Sequence, residues 1–304
     1  LQHQDGHSLL HAAMIPNCRA YDPAFAYEMA VIIHHGMKRM YADQENVFYY
    51  ITAMNENYSH PAMPEGAEEA IIKGLYLFSK GNHKKKLRVN LMGSGAIFRE
   101  VIAAAQLLEK DFNVSAEIWG APGFNELRRE AMECERWNML NPEERPRVPY
   151  ISETLSGNTV PYIAATDYMR SYPDQVRQWI PGSFTVLGTD GYGRSDTRAA
   201  LRRHFEVDRY YIVVAALKAL SEQGNLAASA LEYEAALQDN PRHFLAALNL
   251  AAVYTRLQDL PGRLRAYQLA VGLHPEMPVL HFELGKAFQL LRRHHEAIVA
   301  YRRS

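Results

Sequence analysis

The opening stretch LQHQDGHS sets two imidazoles, His3 and His7, and the carboxylate of Asp5 around Gly6. Histidine changes charge near neutral pH, so two of them with an acid on a glycine-bearing loop form a candidate proton-transfer group. Zinc is the competing chemistry for His3 and His7, but no third and fourth ligand follows at metal-site spacing. The bland alternative is a solvated loop. Leu1 is no initiator Met and no basic segment leads into an apolar run, so the stretch reads as the inside of a domain whose upstream sequence is missing.

Two glycine-bearing turns offer further chemistry. GSGAIF (Gly93 to Phe98) sits between strand-like and helix-like segments, where free backbone N–H groups can hold an anion. A dinucleotide fingerprint needs a third glycine where Phe98 stands; Glu117 provides an acid about twenty residues on, yet a plain tight turn is the better reading. GTDGYGRSD (Gly188 to Asp196) precedes the helical SDTRAALRRHF, with Ser195 or Asp196 as cap and Arg194 open to a carboxylate or phosphate. No Walker lysine and no nucleophile elbow occur. The pairs His34-His35 and His294-His295 lie on helical segments and read as surface residues.

Short strand-like runs alternate with amphipathic helical ones through the first two thirds. Asp22 and Pro23 suit a helix start, with Phe25, Met29, Ile32, Ile33, Met37 and Met40 at helical spacing. NVFYYITAM is strand-like, and PEGAEEAIIKGLYLF helical. LRVNLMGSG, VSAEIWGAP, PYIAATD and FTVLGTDG read as strands, separated by helices at AIFREVIAAAQLLEKDF, FNELRREAMECERWNML and around Asp174 to Ile180. This alternation implies a mostly parallel α/β sheet covered on both faces. The chain's 304 residues suggest about two domains, and a net charge of −1 gives no global field for nucleic acid or an anionic membrane. Cys18 and Cys134 stand alone, so neither a disulfide framework nor a zinc ribbon is indicated, and a reducing, cytoplasmic compartment fits. No apolar run reaches the ~18 residues of a bilayer span.

Past residue 210 the strand signal ends and a period of 34 emerges: Tyr233/Tyr267/Tyr301, Leu250/Leu284, Tyr254/Phe288, Leu257/Leu291 and Pro241/Pro275. Leu284-Gly285-x2-Phe288 followed by Ala297-x3-Tyr301 fits the tetratricopeptide pattern, and Leu250-Ala251-x2-Tyr254 fits with Ala for Gly. Ala247 and His281 replace the large aromatic, and Arg263 replaces a small residue. About two and a half repeats are expected over residues 211–304, sharing the helix YYIVVAALKALSEQG with the α/β part.

The α/β part resembles a known family through several stretches: LQHQDGHS, IPNCRAYDPAFAYE, YYITAMNENYSHPAMPEGAEEAI, NLMGSGAIFREV, ECERWNMLNPEERPRVPYI, ATDYMRSYPDQVRQWIP and VLGTDGYGRSDTRAALRRHFEVD. It is similar to the C-terminal portion of the homodimeric bacterial pyruvate dehydrogenase decarboxylase components, thiamine diphosphate enzymes of the transketolase superfamily. The resemblance implies the late part of a pyrimidine-binding domain over residues 1–80 and a transketolase C-terminal-type domain over 85–220. It implies a catalytic role for His7 in protonation steps, and a weaker one for His3 in the same loop. Pyruvate would be decarboxylated and its acetyl group passed to a lipoyl acyltransferase, the second implied partner being another decarboxylase subunit.

The departures bear on activity. The family holds diphosphate and Mg²⁺ with a GDG segment followed by an asparagine, and this sequence has none; TDG at Thr189 to Gly191 belongs to the terminal domain. The family's activating glutamate would precede Leu1. The chain alone is therefore expected to be inactive, since such groups act as a unit. A second expectation, of another class, is a non-catalytic interaction module whose repeats bind a protein or peptide, with no aligned set of exposed Lys or Arg to name the ligand.

Overall fold

The computed structural model describes residues 6–157, 160–256 and 259–304. They form two compact units, residues 1–106 with 115–213, and residues 107–114 with 214–304, so the divisions fall within two helices.

The first unit begins with α1 (Ser8–Ala13), β1 (Cys18–Tyr21), α2 (Ala26–Met37), β2 (Phe48–Ile51), α3 (Glu68–Lys73) and β3 (Tyr76–Ser79). It continues with β4 (Arg88–Gly93), α4 (Phe98–Phe112), β5 (Ser115–Gly120), α5 (Phe124–Leu140), α6 (Tyr150–Thr154) and β6 (Tyr162–Ala165). It closes with α7 (Ser171–Asp174), β7 (Phe184–Leu187), α8 (Arg198–His204) and the start of α9 (Arg209–Leu220). β1 and β2 pair in parallel, and the main sheet runs β3-β5-β4-β6-β7 with only β3 antiparallel. Crossover helices between parallel strands explain the alternating sequence grammar. Leu9 and Cys18 lie in one buried cluster with Met92, Phe124, Tyr162 and Tyr172, so the small sheet and the large one share a core. Cys18 and Cys134 are buried and free.

Four local expectations are corrected. PEGAEEAIIKGLYLF is not one helix: Gly74 adopts φ +98° as the C-cap of α3, and Leu75 onward extends into β3. A left-handed residue ends a helix cheaply only as glycine. A Cβ here would also lie 2.4 Å from the Gly123 carbonyl oxygen. Asp22 does not cap α2, which starts at Ala26; Glu28 instead accepts from the Ala24 and Phe25 amides. The cap of α8 is Thr197, whose hydroxyl accepts from the Ala200 amide, not Ser195 or Asp196. The helix placed around Asp174 to Ile180 is the short α7 and a separate 3₁₀ turn, Arg177–Trp179.

The second unit holds α10 (Leu226–Asp239), α11 (Phe244–Arg256), α12 (Leu260–Leu273), α13 (Pro278–Leu290) and α14 (His294–Tyr301). Each packs against its chain neighbours. Helix starts recur every 34 residues, at Leu226, Leu260 and His294 and again at Phe244 and Pro278. The periodic apolar residues Tyr233, Tyr267, Leu250, Leu284, Tyr254 and Phe288 are buried. Leu257 lies outside the described residues. The end of α4 belongs to this unit: the Phe112 ring meets those of Tyr233 and His243 at 5.4 and 5.3 Å, and His243 Nε2 is 3.2 Å from Asp111.

Candidate functional site

Parallel strands deliver side chains at their carboxyl ends, where open α/β sheets bind ligands. In the first unit a cleft of about 510 Å³ opens there. It is lined by Tyr50 to Glu56 at the end of β2 and beyond it, Ala96 beyond β4, Asp167 and Tyr168 beyond β6, and Asp196, Thr197, Arg198, Leu201 and Arg202 before and in the first turns of α8.

One wall of the cleft is an ion network. Glu56 receives Arg202, lies 2.8 Å from Arg99 and 3.7 Å from Arg198. Glu100 on α4 is 3.6 Å from Arg202 and takes a two-point contact from Arg209, at 2.8 and 3.1 Å. Burial alone would raise both carboxyls; the arginines outweigh it and hold Glu56 and Glu100 below the usual carboxylate range. Asp167 is different. It is 4% exposed, and its Oδ1 has no hydrogen-bond partner among the described residues. Burial pushes it up to about 6, with Arg202 pulling down and Glu56 and Glu100 adding to the rise. A carboxyl that changes charge near neutrality beside a cleft is the kind of group acid–base chemistry uses. Sequence reading missed it; the one available signal was its place directly after a parallel strand.

The GSG turn is already occupied by the protein. Asp22 is buried between the Ser94 and Thr52 hydroxyls, each donating at 2.6 Å, and its carbonyl accepts from the Gly95 amide at 3.0 Å. Gly95 has φ +52°, and a Cβ there would lie 2.7 Å from the Asp22 carboxylate. With donors engaged and a negative charge in place, the turn is a structural joint and not an anion cradle. In GTDG, Asp190 similarly accepts from the amide and Nε of Arg170.

Glu28 lies behind the joint, accepting from the Tyr76 hydroxyl at 2.7 Å and the Phe25 amide at 3.0 Å. Burial raises its carboxyl to about 7, against these hydrogen bonds. A folded value above the unfolded one means stability fully present below about pH 4.5 and lost as pH rises through about 7. Urea unfolding should therefore show Glu28→Gln gaining stability relative to wild type across that window, on the order of 2 kcal/mol. A difference between the two proteins that does not vary with pH would contradict the assignment.

His7 is exposed at the start of α1, its ring edge-on to His11 at 4.9 Å. Its carbonyl accepts from the Leu10 and His11 amides, and the neighbouring Gly6 carbonyl accepts from the Met169 amide at 2.8 Å. The imidazole loop is thus tied two residues from Asp167. His3 lies outside the described residues. His34, His294 and His295 are exposed and His35 partly so.

Residues 1–61 match the family described as pyruvate dehydrogenase E1 component middle domain, and residues 74–208 the transketolase-like TK C-terminal domain. The pyruvate dehydrogenase E1 component of Pseudomonas aeruginosa is 55% identical over 74% of this chain and 26% of its own length. That of Escherichia coli is 54% identical over 74% of this chain and 25% of its own. The chain thus spans about a quarter of the length of the curated relatives it matches. A transketolase structure from Leishmania mexicana aligns with TM-score 0.48 at 11% identity, covering 71% of this chain and 27% of that one. At 54 to 55% identity over 74% of the chain, the α/β part is homologous to the pyruvate dehydrogenase E1 component.

Proposed function

We propose that the α/β part serves as the corresponding quarter of a pyruvate dehydrogenase (acetyl-transferring) decarboxylase component, with His7 transferring protons during turnover. The observation that carries this is the 55% identity over 74% of the chain. Residues 1–80 would close a pyrimidine-binding domain and residues 85–220 form the transketolase C-terminal-type domain. The partners would be a second decarboxylase subunit and a lipoyl acyltransferase.

Thiamine diphosphate and Mg²⁺ are the cofactors this reading implies, and the residues present do not fit the task of holding them. Among the described residues, no group of three or more His, Cys, Asp or Glu is arranged to bind a metal ion. The GSG turn, the best anion candidate, faces the Asp22 carboxylate. No catalytic step through the cofactor is therefore assigned to these residues; their part is His7 as a proton donor and acceptor on an anchored loop. Titrating thiamine diphosphate with Mg²⁺ into this chain by calorimetry should give no saturable heat.

The test of the reading is a chimera in which residues 1–208 replace the matched segment of the Pseudomonas aeruginosa relative. Retained pyruvate decarboxylation is expected. A chimera that folds, by tryptophan fluorescence, yet releases no CO₂ from pyruvate would sink the catalytic reading.

A second reading applies to the helical unit alone. The 34-residue recurrence of helix starts, with buried residues at the matching positions, supports a tetratricopeptide-type array that binds a peptide.

A further inference from the structure

Within the helical unit, position 263 breaks the chain's own repeat. Its counterparts 34 residues either side are Ser229 and Ala297, both 4% exposed, small and buried between helices. The middle repeat puts an arginine in that slot, and Arg263 is still only 8% exposed. Its Nε is buried with no hydrogen-bond partner among the described residues, while Nη2 lies 3.2 Å from Glu283. A buried charge with an unmade bond is costly wherever serine or alanine would serve. Its contacts inside the unit are the Glu283 carboxylate and the Tyr267 ring, 5.7 Å away, and neither satisfies Nε.

Arg263 lines an open cavity of about 700 Å³ with Lys286, Gln289, Leu290, Arg292 and His294. Lys286 Nζ is 2.6 Å from the other Glu283 oxygen, so one carboxylate is shared by two cations. Arg292 is exposed, makes no ion pair among the described residues, and sits at φ +58°, a backbone region that favours glycine. Arg263, Lys286 and Arg292 against Glu283 leave an excess of two positive charges at neutral pH. On the same face of α13, one and two turns before the cavity, stand Phe282 and Val279, 46% and 66% exposed, with Lys286 Nζ 4.5 Å over the Phe282 ring.

We propose that this cavity is an oxyanion subsite for an acidic peptide, whose carboxylates engage Arg263, Lys286 and Arg292 while adjacent apolar residues lie on Phe282 and Val279. The inference rests on reading the helical unit as a peptide-binding array and adds the ligand's chemistry. Charge complementarity selects an acidic partner, and the guanidinium of Arg263, held in place by Glu283 on α13, is a more fixed cation than a solvated lysine.

The test uses the full chain and a fluorescein-labelled octaglutamate peptide, with octaglutamine as control, followed by anisotropy. Octaglutamate should bind and octaglutamine should not, and binding should weaken as salt is raised. Arg263→Ala should weaken binding by about tenfold or more, the loss expected of one charge-assisted contact. Its thermal midpoint by circular dichroism should hold or rise, because alanine is what the next repeat carries and Glu283 keeps Lys286. Arg263→Lys should bind at an intermediate level. An unchanged affinity in Arg263→Ala, or a fall in midpoint matching the fall in affinity, overturns the proposal. Should Arg263→Ala prove insoluble, Arg292→Ala on the exposed turn provides the same reading. Selection of neutral sequences from a peptide library, with octaglutamate unbound, overturns this inference and leaves the array reading standing. A library that selects nothing, again with octaglutamate unbound, overturns both. Free phosphate competing as well as the peptide would show a simple anion site and overturn the peptide assignment.

Discussion

In the chimera carrying residues 1–208, His7→Ala is expected to lower the rate of pyruvate decarboxylation by about 10²- to 10⁴-fold, the range of a positioned acid–base group. The fold should survive, because His7 supports α1 only through its carbonyl, which accepts from the Leu10 and His11 amides whatever the side chain. Among the described residues the ring contact at stake is the one with His11, and both rings are exposed. A group that acts in the transition state should lower kcat with little change in KM. His11→Ala is the control, since it removes the same ring contact from the other side. If His7→Ala and His11→Ala lose equal activity, proton transfer by His7 is excluded. His7→Gln should keep the hydrogen-bonding shape and remain slow, because an amide cannot pass a proton on.

Most of the α/β architecture is legible in the sequence because a buried parallel strand announces itself locally. YIAA in β6 is wholly buried, and apolar runs of this kind bounded by turns mark such strands. The antiparallel β3 was hidden because AIIKGLYLF keeps helical spacing across Gly74, and only the positive φ reveals the break. Asp22 was misread for a similar reason. An Asp-Pro pair is a good local helix signal, but the buried hydroxyls of Thr52 and Ser94 claim the carboxylate from 30 and 72 residues away. Local propensity is a weak prior against such contacts. The helical period is readable as sequence, whereas the meaning of Arg263 is not: the sequence shows that it replaces a small residue, and its burial and its neighbours on α13 exist only in the folded chain.

The ion network was invisible for the strongest reason, since Glu56, Glu100 and Arg202 belong to a loop and two helices that only the folded chain assembles. Its central member is Arg202, with a side chain 9% exposed, between Glu56 and Glu100 at 15% and 7%. Arg202→Met is expected to lower stability by about 3 kcal/mol at pH 7, the usual cost of breaking a buried pair from one side. Methionine keeps the apolar stem packing, so the loss isolates the charge. Glu56 then keeps Arg99 and Arg198, and Glu100 keeps Arg209, while Asp167 loses the cation that opposes its rise. Glu56 and Glu100 sit below their ordinary range, so their contribution is present at neutral pH and fades as pH falls through their folded values. The penalty of Arg202→Met should accordingly shrink as the solution is made more acid and Glu56 and Glu100 take up protons. Trp119, Trp137 and Trp179 all lie in the first unit, so tryptophan fluorescence during urea unfolding reports this unit without the helical one. Glu56→Gln added to Arg202→Met should cost less than the sum of the two single losses, since Arg202 and Glu56 form one contact; a purely additive double variant would mean that Glu56 and Arg202 do not interact.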